Sequence, residues 1–157
     1  EPGRQVGTVG PLAVFPNATN VIPGRVEMTV ELRDLSADQV AALGQAVQAR
    51  ARDIALETGT EMKFHLTEHI EPALATPAIQ AHIEAAAKTL GLPFIHLPSG
   101  AGHDAQLLAK LGPMGMIFVP SIAGISHSPK ELSTWSDCAN GANVLLHTLL
   151  AVDATGV

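Results

Sequence analysis

Residues Arg25 to Arg33 carry the cleanest alternation in the chain. Val26, Met28, Val30 and Leu32 interleave with Arg25, Glu27, Thr29, Glu31 and Arg33, the period of a strand with one apolar and one polar face. An earlier strand spans about residues 5–14 and stops at Pro16. From Ser36 the period lengthens. Val40, Leu43, Val47 and Ile54 recur at helical spacing, with Gln39 three residues after Ser36 as in a capping box and Gly59 as a stop. Met62, Phe64 and Leu66 then alternate with Lys63, His65 and Thr67, a third strand fading before Pro72. Strand, strand, helix, strand is the back portion of a ferredoxin-like split βαβ unit.

After Ala73 the grammar changes. Pro77 suits the first turn of a helix with Ile79, Ile83 and Leu90 on its apolar face and Gly91 at its end. A short strand is expected at Phe94 to Leu97 and a short helix over 103–111. Met114 to Val119 is a near-continuous apolar run, as in a strand buried on both faces. A last helix covers about 134–152, with Leu145, Leu146, Leu149 and Leu150 as its buried stripe. The fold class is therefore α/β in two pieces, an α+β lid over residues 1–72 and an α/β portion over 73–157, with the boundary near residues 70–76.

Composition narrows the function. The chain has 157 residues, 46% of them hydrophobic and 15% charged, enough for a core and unlike a disordered segment. A net charge of −6 without a Lys/Arg run argues against nucleic acid or an anionic membrane as partner. Aromatic content of 3% and no tyrosine leave little for stacking bases. One cysteine, Cys138, excludes an intrachain disulfide framework and fits a reducing, cytoplasmic setting. No apolar run approaches the roughly 20 residues of a membrane span. The start, Glu1-Pro2-Gly3-Arg4-Gln5, has neither initiator Met nor the form of a signal peptide, and reads as that of a processed, cleaved or truncated product.

Three loops hold polar residues that a fold gains nothing by having. They are Pro16-Asn17-Ala18-Thr19-Asn20-Val21-Ile22-Pro23-Gly24, Ser99-Gly100-Ala101-Gly102-His103-Asp104-Ala105, and Gly124-Ile125-Ser126-His127-Ser128-Pro129-Lys130-Glu131. In α/β folds, loops at the C-terminal ends of strands are where ligands usually bind. Gly100 and Gly102 let backbone N–H groups approach an anionic or carbonyl oxygen at a helix start. His127 sits among small residues that leave its ring open to a metal. Arg33 lies on the polar face of its strand, and its guanidinium fork suits bidentate carboxylate recognition.

Together the three loops resemble the amidase, hydantoinase/carbamoylase group of zinc-dependent hydrolases, which includes N-carbamoyl-L-amino-acid hydrolases and allantoate amidohydrolases. The likeness runs from about Val6 to Leu150. The group's Asn-x-(Val/Ile)-Pro-Gly turn and following Asp-x-Arg correspond to Asn20-Val21-Ile22-Pro23-Gly24 and Glu31-Leu32-Arg33, with Glu31 where Asp is usual.

The resemblance implies that the chain is part of a lid that also mediates homodimerisation, followed by the C-terminal part of a dinuclear zinc aminopeptidase-like domain. It implies that His127 is a metal ligand, Asn20 and Arg33 hold the polar end of a carbamoyl-amino acid or ureide, Gly102 offers a backbone contact to substrate, and His103 lines the catalytic cavity. The metal pair, zinc with manganese, cobalt or nickel as substitutes, also needs a His, a bridging Asp, a Glu and a second His, with a neighbouring Glu as base. Their His-x-Asp and Glu-Glu signatures do not occur here, so this polypeptide alone is expected to lack both activity and a dinuclear site.

Each residue also has a plainer role. His127 could be an ordinary loop histidine, Arg33 a solvated strand end, Asn20 a turn former and His103 a helix cap. His65-Leu66-Thr67-Glu68-His69 has the His-x-x-Glu-His form of an inverted zincin motif. It alternates like a strand, which places the two rings roughly 13 Å apart at about 3.3 Å per residue, too far for one metal. Gly124-Ile125-Ser126-His127-Ser128 lacks the second glycine of a nucleophile elbow. Cys138 is expected to be a packed thiol in the last helix. An aminoacylase, a dipeptidase and a non-catalytic dimerisation module remain as alternatives.

Overall fold

The computed structural model describes residues 5–156, and the chain divides into two compact units between Pro72 and Ala73. In the first, β1 (Val6–Phe15) and β2 (Arg25–Arg33) form an antiparallel hairpin. Cross-strand pairs Val9 with Val30, Leu12 with Met28 and Val14 with Val26 share its apolar face. The register slips between Val9 and Leu12, where Gly10-Pro11 supplies a residue without an N–H and the ladder bulges.

Helix α1 (Ala37–Thr58) follows. Ser36 Oγ accepts the Gln39 N–H at 3.4 Å, while the Ser36 N–H donates to Asp34 Oδ1 at 2.8 Å. Asp34 thus takes the partner that a reciprocal capping box would give to Gln39. Gly59 ends the helix at φ 67, a left-handed conformation that costs glycine nothing.

The expected third strand does not form. Residues 62–67 carry no regular structure, since alternation makes a strand only where a neighbour can complete its hydrogen bonds. The apolar face of β2 is also less covered than its pattern predicts, with Met28 56% and Val30 43% exposed.

In the second unit, α2 (Pro77–Thr89) packs on α4 (Trp135–Thr155). Ala86, Ala87 and Val144 are buried between them, flanked by Ile83, Leu90, Leu92 and Ile117. Pro77 occupies the first turn of α2, where its missing N–H costs no hydrogen bond. Thr134 caps α4, accepting the Asp137 N–H at 3.0 Å and donating to Asp137 Oδ2 at 2.6 Å.

The apolar run 114–119 lies along these helices without a strand partner among the described residues. It is tied at Thr76, whose N–H donates to the Met114 carbonyl at 2.7 Å and whose Oγ1 accepts the Met114 N–H at 3.0 Å. Two glycines permit the approach: a Cβ on Gly115 would stand 2.4 Å from Ile79 Cγ2, and one on Gly141 would stand 2.4 Å from Val119 Cγ1.

Both strands expected here, 94–97 and 114–119, lack a ladder. The short helix is α3 (Asp104–Leu108), and the last helix runs to Thr155. Its buried positions are Val144 and Thr148. Leu145, Leu146, Leu149 and Leu150 are 49–61% exposed, and two of them, Leu145 and Leu149, face an open cavity that Ile79 and Ile83 of α2 also line. An open apolar cavity of about 640 Å³ lies along α4, and Cys138 lines it as an exposed thiol rather than a packed one.

Candidate functional site

The residues singled out by the sequence fall into three loops and, for Arg33, the end of strand β2. In the first unit the hairpin turn closes through the Gly24 N–H, which donates to the Phe15 carbonyl at 3.0 Å. Asn17, not Asn20, takes the left-handed conformation in this turn, at φ 58. Asn20 is exposed within it, so the turn's tightest backbone position is not the reason for that asparagine. Arg33 ends β2 opposite Val6. Its guanidinium and Glu31 form an ion pair at 2.8 Å, with side chains 43% and 53% exposed.

Asn20 lies in the hairpin turn, and Arg33 lies at the far end of β2. Arg25 to Arg33 is eight residue steps of strand, some 26 Å at about 3.3 Å per step. Asn20 stands five residues before Arg25, a stretch that spans at most about 18 Å.

In the second unit, Gly102 is exposed, and a Cβ built on it would meet no heavy atom within 4 Å, so its backbone is open to a ligand. His103 has extended backbone angles (φ −137, ψ 147) at the N-cap of α3, yet its side chain makes no capping bond. The plain capping role therefore fails. Its ring turns back instead. Nε2 lies 2.6 Å from Ser99 Oγ, and the ring meets Phe118 edge-on at 5.7 Å between centroids.

His127 is held differently. Its backbone sits at φ 53, a conformation that is rare outside glycine and found mostly in Asn, Asp and His. Its N–H donates to Glu131 Oε2 at 2.8 Å. The loop around it is closed by the Ile122 N–H donating to the Leu132 carbonyl at 2.8 Å, and Ser121 Oγ donates to the Ile125 carbonyl. The residue is exposed, and among the described residues its imidazole has no hydrogen-bond partner.

Sequence reasoning missed Ser99, Phe118 and Glu131 as supporting residues. Ser99 and Glu131 each lie four positions from the histidine they serve, a spacing visible in the sequence. Phe118 carries no such local signal.

His65 and His69 lie outside any helix, and His69 Nε2 pairs with Glu71 Oε1 at 2.8 Å. Away from the loops, Lys88 and then His96 hold the Glu84 carboxyl below its ordinary value of 4.5. No group of three or more His, Cys, Asp or Glu that could hold a metal occurs among the described residues. His127 alone does not make a metal site.

A profile of peptidase family M20/M25/M40 matches residues 1–151. The chain belongs to that family. It is 46% identical over 147 residues to N-carbamoyl-L-amino acid amidohydrolase of Geobacillus stearothermophilus, covering 94% of this chain and 36% of that protein. It is 36% identical over 141 residues to ureidoglycolate hydrolase of Oryza sativa subsp. japonica, covering 89% and 29%.

Among solved structures, a hydantoinase/carbamoylase-family amidase of Burkholderia vietnamiensis superposes with a TM-score of 0.87 at 38% identity, over 96% of this chain and 37% of that one. This M20-family chain thus spans about a third of the length of the curated relatives it matches. Its two-unit architecture is mixed α and β, as in those amidases. No helix among the described residues is long and apolar enough to cross a membrane.

Proposed function

We propose that the chain is the C-terminal part of a metal-dependent amidohydrolase that cleaves a linear amide, with N-carbamoyl-amino acids or ureides as substrates. The observation that carries this reading is the backbone of His127. A histidine held left-handed, pinned by Glu131, with its ring exposed and unengaged, is strained for no packing benefit. Ligation of a metal by a neutral imidazole gives that strain a purpose.

In this reading His127 supplies one ligand, and the others lie in the part of the relatives' length that this chain does not span. The chain alone is then inactive. The metal class is divalent, with zinc first and manganese, cobalt or nickel able to substitute.

His103 donates a hydrogen bond to the reacting group, and the Gly102 N–H binds a substrate oxygen. Arg33 holds the substrate carboxylate as a bidentate fork, and Asn20 contributes its amide to the same polar end. Asn20 and Arg33 stand at opposite ends of the strand Arg25–Arg33, and in this reading they serve one substrate from two copies of the protein, as a homodimer would provide. The expected setting is the cytoplasm.

Mixing full-length Asn20→Ala and Arg33→Ala subunits tests the arrangement. Each variant alone is expected to be nearly inactive. After exchange half the dimers are mixed, and each mixed dimer has one intact site of two, so about a quarter of wild-type activity returns. No recovery despite subunit exchange rejects the two-copy site. Hydrolysis of N-carbamoyl-amino acids by the 157-residue chain alone, or hydrolysis of N-acyl-amino acids and dipeptides in their place by the full-length protein, rejects the wider reading.

A further inference from the structure

Ser99 and His103 are four residues apart, joined by Gly100-Ala101-Gly102, and their side chains meet at 2.6 Å between Oγ and Nε2. A serine hydroxyl has one proton to give and two lone pairs to receive with. Ser99 Oγ already accepts the Ala101 N–H at 3.2 Å. If the imidazole donated to it as well, the oxygen would accept twice. The hydroxyl proton, in a part-buried position, would then have no protein acceptor. Reversing that bond gives the hydroxyl proton its acceptor: Oγ donates to Nε2, Nε2 accepts, and the proton left over is the Nδ1–H.

We propose that Ser99 is a positioning residue that holds His103 as the neutral tautomer protonated at Nδ1. The ring has two fixed sides, since Nε2 is occupied by Ser99 and the edge contact with Phe118 limits its rotation. The backbone of His103 takes part independently, its carbonyl accepting the Gln106 N–H at 2.9 Å in the first turn of α3. What remains for a ligand is a single N–H donor of defined position.

Such a donor selects an acceptor, the carbonyl oxygen of an amide or ureido group, over an N–H group of the same shape. It also gains from having its orientation set before the ligand arrives. The tautomer assignment stands on geometry alone. Its consequence for substrate choice rests on the role proposed for His103 in the hydrolase.

The test is the long-range proton–nitrogen spectrum of the imidazole rings in the nitrogen-15-labelled 157-residue chain. It is recorded at a pH of about 8.5, above the ordinary histidine range. His103 is expected to show Nε2 as its unprotonated nitrogen in the wild type and in Ser99→Thr, which keeps the hydroxyl. In Ser99→Ala the ratio of the two tautomers is expected to invert toward the Nε2–H form that free histidine prefers. Ring-current shifts from Phe118 on the carbon-bound protons of His103 show whether the loop is intact in each variant.

A wild-type ring protonated at Nε2, or a Ser99→Ala ratio equal to wild type with the Phe118 shifts preserved, overturns the proposal. If Ser99→Ala unfolds the loop, the wild-type and Ser99→Thr spectra decide alone. Neither metal nor substrate is present in this measurement, so its failure and that of the hydrolase reading are seen separately.

Discussion

The loops over residues 99–103 and 121–132 each present a histidine, and they do it by opposite means. At His103 the backbone is relaxed and the ring is held, by Ser99 at Nε2 and by the edge of Phe118. At His127 the ring is open and the backbone is held, by Glu131 and a left-handed φ of 53. A ring with one nitrogen already bonded suits an oriented donor to substrate. A ring with neither nitrogen bonded can give either to a metal. Which part of a residue the protein constrains is thus a guide to what that residue is for.

The largest expected difference between the loops is in activity. In the full-length protein, His127→Ala should lower kcat/KM by about 10³-fold or more, since a lost metal ligand removes several kcal/mol of charge stabilisation. It should also lower the metal content of the purified protein. His103→Gln should cost about 10²-fold, as for loss of one oriented donor, and leave the metal content unchanged. Equal losses, or metal loss in the His103 variant, would remove the distinction between the two rings.

Next in size is the support for each loop. Glu131→Ala frees the His127 N–H and should lower metal affinity in the full-length protein by about 10-fold, the low end for groups that hold a ligand in place. In the 157-residue chain the same change should cost about 1 kcal/mol of stability, the usual worth of one hydrogen bond. Metal titration of the one and denaturant unfolding of the other measure the two effects. An unchanged metal affinity would mean that Glu131 shapes the loop without serving His127.

How much of this could be read in the sequence depended on whether the deciding contacts were local. Helices α1 and α2 and strand β2 carry their own signals: Ser36 and Pro77 at the helix starts, Gly59 and Gly91 just past their ends, and alternation from Val26 to Leu32. The runs at 62–67, 94–97 and 114–119 have strand composition but need a neighbour to become strands, and sequence pattern cannot supply one. Asn20, Arg33, Gly102, His103 and His127 stood out as loop and strand-end residues with chemistry to spare. The places of Asn20 in the turn and Arg33 at the far end of the strand were already legible in the alternation from Arg25 to Arg33. The constraint on His127 emerged only from its φ angle.

The smallest expected effect concerns that φ angle and sets the histidine loop against its own neighbour. Ala123 lies in the same loop at φ 57, beside Gly124 at φ 66. A left-handed residue other than glycine costs about 1 kcal/mol, and alanine has no ring to justify it. Ala123→Gly should therefore stabilise the chain by up to about 1 kcal/mol, a rise of roughly 3 °C in Tm for a protein of this length, and leave the activity of the full-length protein unchanged. His127→Gly should give a similar rise in Tm while abolishing activity. A thermal melt in which His127→Gly is clearly less stable than wild type would show that the ring contributes to packing. The strain at His127 would then need no metal to explain it.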